Sequence, residues 1–132
     1  NRGLTYIRLD RQERWVADLT KALEVAPEFW VSHHALCWGY ALDDMPEEGL
    51  PHCDEAVKHD SEGSTLDGRG LIMAEMDRMD EATADIEKYI KWLDTQPEVW
   101  SELSNRQIYE DILEGLRAGE NRVTPELLEQ LR

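Results

Sequence analysis

Cysteine is scarce: two residues in a chain of 132, too few for a disulfide framework. Long apolar runs are missing. No stretch approaches the ~20 consecutive apolar residues a membrane span needs, so membrane insertion is not expected. No basic segment followed by an apolar one opens the chain, as a secretory signal would. The sequence starts at Asn1 rather than Met, which leaves room for a trimmed signal, an anchor or further sequence upstream. Positive charge is also thin, with Lys+Arg at 14 against Asp+Glu at 29 and a net charge of -15. Such a surface repels phosphate backbones, which argues against nucleic acid and anionic membrane and leaves a basic protein or peptide easier to accommodate. The plainer use of the acidity is solubility. There is no glycine-rich phosphate loop, since Gly68-Arg69-Gly70 falls inside a helical pattern. Acidic pairs such as Asp43-Asp44 and Glu47-Glu48 are so common that they read as solvated faces, not as catalytic dyads. No enzyme activity and no cofactor are expected.

What is present is a period. The hydrophobic fraction of 41% supports a packed core in a single domain. Written under itself with a shift of 34 and then 33 residues, the chain aligns column by column. Gly3, Cys37 and Gly70 are small, and Tyr6, Tyr40 and Met73 are large. Asp10, Asp44 and Asp77 fall together, followed by Glu13, Glu47 and Asp80. Leu19, Cys53 and Ile86 are apolar, as are Leu23, Val57 and Ile90. Apolar steps of three and four, as in Trp15, Leu19, Ala22 and Leu23, make each unit two helices. The acidic turn between them is expected to supply side-chain caps to the second helix. Pro27 ends the second helix of unit one. A single hairpin cannot bury its apolar stripe, so neighbouring units must stack.

Over about residues 1–97 the pattern resembles the tetratricopeptide repeat, whose sequence signature is well established. The matching residues are Gly3-x2-Tyr6 and Leu19-x2-Ala22-x4-Pro27, then Leu36-Cys37-x2-Tyr40 and Cys53-x2-Ala56, then Gly70 and Ala82-x3-Ile86. Trp15 departs from the family's small residue, Tyr89 from its Ala and Asp94 from its Pro, which lets the last repeat helix run toward Gln96. Gly49 and Pro51 lie inside the second helix of unit two, where a late start or a kink is expected. The resemblance implies an all-α fold. Antiparallel helix hairpins would stack as a short right-handed α-solenoid, with units at about 1–29, 30–63 and 64–97. Residues 98–132 would form a C-terminal helical cap on the last repeat, with helices over Ser104–Gly119 and after Thr124-Pro125.

The resemblance further implies an interaction module that holds a peptide or helix of a partner protein in a concave groove. The first helices of the units would line that groove with Leu4, Ile7, Arg8, His34, Trp38, Leu42, Leu71 and Glu75, joined by Ala41, Asp67 and Ala74. Leu4, Trp38 and Leu71 form a column down it. Relatives that hold a chain-terminal carboxylate place an Asn there, and this column is apolar, so an amphipathic or extended segment fits better. Trp38 is the expected anchor, with packing between repeats as the alternative. Trp30, Trp92 and Trp100 read as packing residues. Cys37 and Cys53 fall on core columns and are expected as reduced thiols. A disulfide, or a weak metal site of His33, Cys37 and Cys53 in a metal- or redox-responsive domain, are the alternatives. Self-assembly through exposed repeat ends is a third reading. A cytoplasmic location is favoured over a periplasmic one.

Overall fold

The computed structural model describes residues 2–27, 29–60, 62–100 and 105–132, with the side chains of 2–9 left out. Every regular element among the described residues is a helix: α1 Arg2–Val25, α2 Trp30–Leu42, α3 Pro46–Lys58, α4 Leu66–Glu75, α5 Met79–Asp94, α6 Arg106–Arg117 and α7 Pro125–Leu131. The chain is all-α, built from neighbouring hairpins. Helix α2 packs on α3 and α4 on α5; α1 covers α2, α6 covers α5, and α7 turns back to α2. None of these helices is long and apolar enough to cross a membrane.

The two hairpins share one turn. Asp44 N–H donates to the Ala41 carbonyl at 3.2 Å and Met45 N–H to that of Tyr40 at 2.9 Å. The residues 33 later repeat this, Asp77 to Ala74 at 3.0 Å and Arg78 to Met73 at 2.9 Å. Asp44 and Asp77 both lie in the left-handed region, at φ 54° and 57°. Asp enters that region more readily than most residues with a Cβ. The aligned aspartates therefore end the first helix of each hairpin. They do not cap the second, as the sequence suggested: neither α3 nor α5 has a side-chain cap at its N-terminus. Glu47, Glu48, Asp80 and Glu81 in the first turns meet the helix dipole instead.

The aligned Asp10 makes no turn. Helix α1 runs through it unbroken, so the hairpin expected in the first unit is a single helix. Residues 8–14 offer nothing that opposes a helix, and Asp10 pairs with Arg14 one turn on at 3.1 Å. In the second unit Pro46 enforces a new start. Of the late start or kink expected for α3, the late start does not occur: the helix begins at Pro46 and continues through Pro51. Pro51 is exposed, as is Glu47, whose carbonyl loses its helical donor, so water can satisfy it. Gly49 serves a close approach. A Cβ there would stand 2.6 Å from Ile72 Cδ1 and 2.8 Å from Tyr40 Cβ. Trp15 finds its compensation across the α1–α2 interface, where a Cβ on Gly39 would stand 2.6 Å from the indole.

Corresponding columns touch in corresponding ways. In α4–α5, Gly70 lies so close to Ile86 that a Cβ would stand 2.7 Å from Ile86 Cγ1. In α2–α3 the equivalent pair, Cys37 and Cys53, is a disulfide with Cα atoms 4.8 Å apart. The expectation of reduced thiols is thereby corrected. Residues that occupy opposed core columns at this separation are within bonding reach. Helix α6 adds the fully buried Tyr109 and Ile112 to the core, and α7 adds Leu128 and Leu131. Thr124 caps α7, its hydroxyl accepting from Leu127 N–H at 3.2 Å.

Candidate functional site

Steps of four place Trp30, His34, Trp38 and Leu42 on one stripe of α2, and Asp67, Leu71 and Glu75 on one stripe of α4. The helices pack side by side, and His34 Nε2 donates to Asp67 Oδ1 across them at 2.8 Å. The two stripes make one wall whose two halves differ.

One half is open. A pocket of about 440 Å³ is lined by Trp30, His34 and Trp38 from α2, Asp67 and the preceding Ser64, Tyr89 and Trp92 from α5, and then Trp100 and Asn105. Trp92 and Trp100 stand nearly perpendicular, 85° with centroids 6.0 Å apart, and Tyr89 lies roughly parallel to Trp92 at 6.0 Å. Tyr109 OH donates to the Asp67 carbonyl at 3.2 Å and holds the start of α4 from below. Trp30 is 38% exposed and Trp100 45%; of the tryptophans read as packing residues, Trp92 and Trp100 pack on each other. The helical spacing of Trp30, His34 and Trp38 was the available signal for the α2 side. Tyr89, Trp92, Trp100 and Asn105 carry no such signal, because they arrive from other elements.

The other half is covered. Arg132 Nη2 donates to the Leu42 carbonyl at 2.8 Å and to Asp43 Oδ1 at 2.7 Å. Asn121 Nδ2 donates to the Ala74 carbonyl at 2.7 Å. Leu71, Ala41 and Ala74 are fully buried and Leu42 is half-buried. Both carboxylate oxygens of Glu75 are buried and, among the described residues, lack a hydrogen-bond partner. Of the residues expected to line a groove, the structure brings His34 and Trp38 to an open surface, with Asp67 beside them. Leu42, Leu71 and Glu75 lie in the covered half, and the expected column is interrupted at Leu71. Leu4, Ile7 and Arg8 lie on α1 with side chains outside the described residues.

The weak metal candidates separate. Cys37 and Cys53 are bonded to each other, so neither offers a thiolate. His33 Nδ1 is 3.1 Å from His52 Nδ1, and its Nε2 is 3.2 Å from the Pro27 carbonyl. Burial, with His33 adding to it, holds His52 below the usual imidazole value. Among the described residues no three His, Cys, Asp or Glu side chains are grouped to hold a metal.

Burial alone would depress His34, but its hydrogen bond to Asp67 and the charges of Asp67 and Asp60 outweigh it and raise its pKa. The stability this pair contributes is therefore complete below the ordinary value of 6.5 and lost as pH rises through the higher folded value. An NMR titration should place His34 above 6.5 in the native protein. In Asp67→Asn, with burial left as the main influence, it should fall below that value. A His34 titration unmoved by Asp67→Asn would show that the pair does not set it.

Against this geometry, comparisons with protein-family models, curated proteins and solved structures give no significant match.

Proposed function

We propose that the chain is a tetratricopeptide-type interaction module, a short right-handed helical solenoid that holds a segment of another protein against its inner wall. The observation that carries the reading is the open half of that wall. Residues from both hairpins converge there on a pocket with two exposed tryptophans. Exposed Phe29 and Val31 flank Trp30, and exposed Val99 precedes Trp100. A pocket lined by aromatic side chains with a few polar groups among them is characteristic of binding sites. The turn shared by the two hairpins supports the repeat. His34 and Trp38 are the contacts retained from the expected groove, and the net charge of -15 favours a basic segment.

A redox-responsive role gains little support. Both cysteines are fully buried, out of reach of the thiolate attack that exchange requires. A disulfide suits an oxidising compartment better than the cytoplasm favoured from the sequence.

The test is a peptide array of basic, neutral and acidic segments, helical and extended, probed with the wild type and with Trp38→Ala checked for fold by circular dichroism. Retention of basic segments by the wild type alone is expected. An array that retains nothing, or retains the same segments with Trp38→Ala, would overturn the assignment.

A further inference from the structure

The pocket's chemistry selects one kind of group. Trp30, Trp38, Trp92 and Trp100 present indole surface to it, and the Trp92–Trp100 pair forms a corner with its rings at 85°. Ring faces carry the negative lobes of the aromatic quadrupole and attract cations. In the lining, Asp67 Oδ1 is taken by His34 Nε2 and by Gly68 N–H, each at 2.8 Å. Among the described residues its Oδ2 has no hydrogen-bond partner, so Asp67 can still accept. Among the described residues no Lys or Arg lines the pocket.

Three occupants can be weighed. An anion would meet indole rings and a carboxylate in a protein of net charge -15, with no cation in the described lining to offset the repulsion. A neutral apolar group would bury the His34–Asp67 pair and give no hydrogen bond in return. A cation gains from the rings and from Asp67 together, and a planar guanidinium can stack on an indole while its N–H groups reach a carboxylate.

We propose that the pocket is an aromatic cage for a cationic side chain, arginine or lysine, projecting from a basic segment of a partner protein. This rests on the interaction-module reading and adds to it the chemistry of the anchoring residue. Trp38 and the His34–Asp67 pair line it beside Trp30, Trp92 and Trp100.

The experiment uses the whole disulfide-bonded protein and short synthetic peptides. Ac-Gly-Arg-Gly-NH2 and its lysine analogue are titrated against it, followed by tryptophan emission and by indole N–H signals in NMR. The citrulline and norleucine analogues serve as neutral isosteres. Roughly 0.3 M salt screens the diffuse attraction of the acidic surface, leaving short-range contacts. Saturable shifts of the pocket indoles with the arginine and lysine peptides, and none with the neutral analogues, are expected. Trp30→Ala and Trp100→Ala remove exposed side chains that the core does not need, and each should weaken binding roughly fivefold. An equal response to citrulline and arginine, or unchanged affinity in both variants, overturns the cage. Failure of the cage alongside a positive peptide array would leave the module standing with a different anchor. A positive titration with an empty array would leave a cation site and remove the module.

Discussion

Glu75→Met should stabilise the protein by on the order of 3 kcal/mol at pH 7. Glu75 is the last residue of α4, where the negative end of the helix dipole already disfavours an anion. Its two oxygens are buried without a hydrogen-bond partner among the described residues. Burial first, and the charge of Asp44 second, push its pKa from the usual 4.5 up to about 9. Between those values the folded chain keeps a proton that the unfolded chain releases. Stability thus falls by about 1.4 kcal/mol for each pH unit across the window and levels off above it. Met has a similar volume, needs no hydrogen bond and does not titrate. Denaturant midpoints for both proteins at pH 5, 7 and 9 provide the check. The difference should be small at pH 5 and should widen with pH; a difference that stays constant would mean that Glu75 ionises freely in the folded state. Glu75→Gln should remove the pH dependence and still carry the cost of a buried amide, so it should gain less than Met.

The burial of Glu75 shows where sequence reasoning stops. The four-residue step from Asp67 through Leu71 to Glu75 is legible and does place the three on one stripe. Residues 121–132 then fold back over part of it, through contacts such as Arg132 to Leu42. Periodicity describes neighbours along a helix and between consecutive units, and says nothing of a contact 90 residues apart. The pocket follows the same rule. Its α2 side is visible in the spacing of Trp30, His34 and Trp38. Its far wall depends on where α5 and the chain before α6 deliver Trp92 and Trp100. The aligned aspartates were legible as a column, but their work was not. At Asp44 and Asp77 the backbone turns left-handed, while Asp10 lies among good helix formers and is absorbed into α1. A column of like residues marks equivalent positions; whether the chain turns at them depends on the flanking residues and on what the turn packs against.

The Cys37–Cys53 bond carries the second large effect. The columns put the two residues face to face, yet a cysteine pair in a core fills space much as small apolar residues do, so oxidation is not written in the pattern. The sequence separation is 16, and a closed loop of about that length removes roughly 3 kcal/mol of unfolded-state entropy. Full reduction should therefore cost roughly 3 kcal/mol and lower Tm by roughly 10 °C. Calorimetry of oxidised and fully reduced protein reads this directly, and a loss under about 0.5 kcal/mol would mean that the bond merely decorates a contact already sufficient. The location of the bond explains why it is needed. Seven of the ten residues of α4 are buried, and Arg69 on α4 grips Asp85 on α5 through two hydrogen bonds of 2.8 and 2.9 Å. Only four of the thirteen residues of α2 are buried, so α2 draws less on the core than α4 does. The bond also sits where the two hairpins meet, since a Cβ on Gly68 would stand 2.7 Å from Cys37 Sγ. Trp30, His34 and Trp38 all ride on α2, so loosening it should blunt the indole response to the arginine peptide before the chain unfolds. Because both cysteines are fully buried, reduction of the native protein should be slow and should speed up with denaturant, as expected for a bond reached only when the hairpin opens.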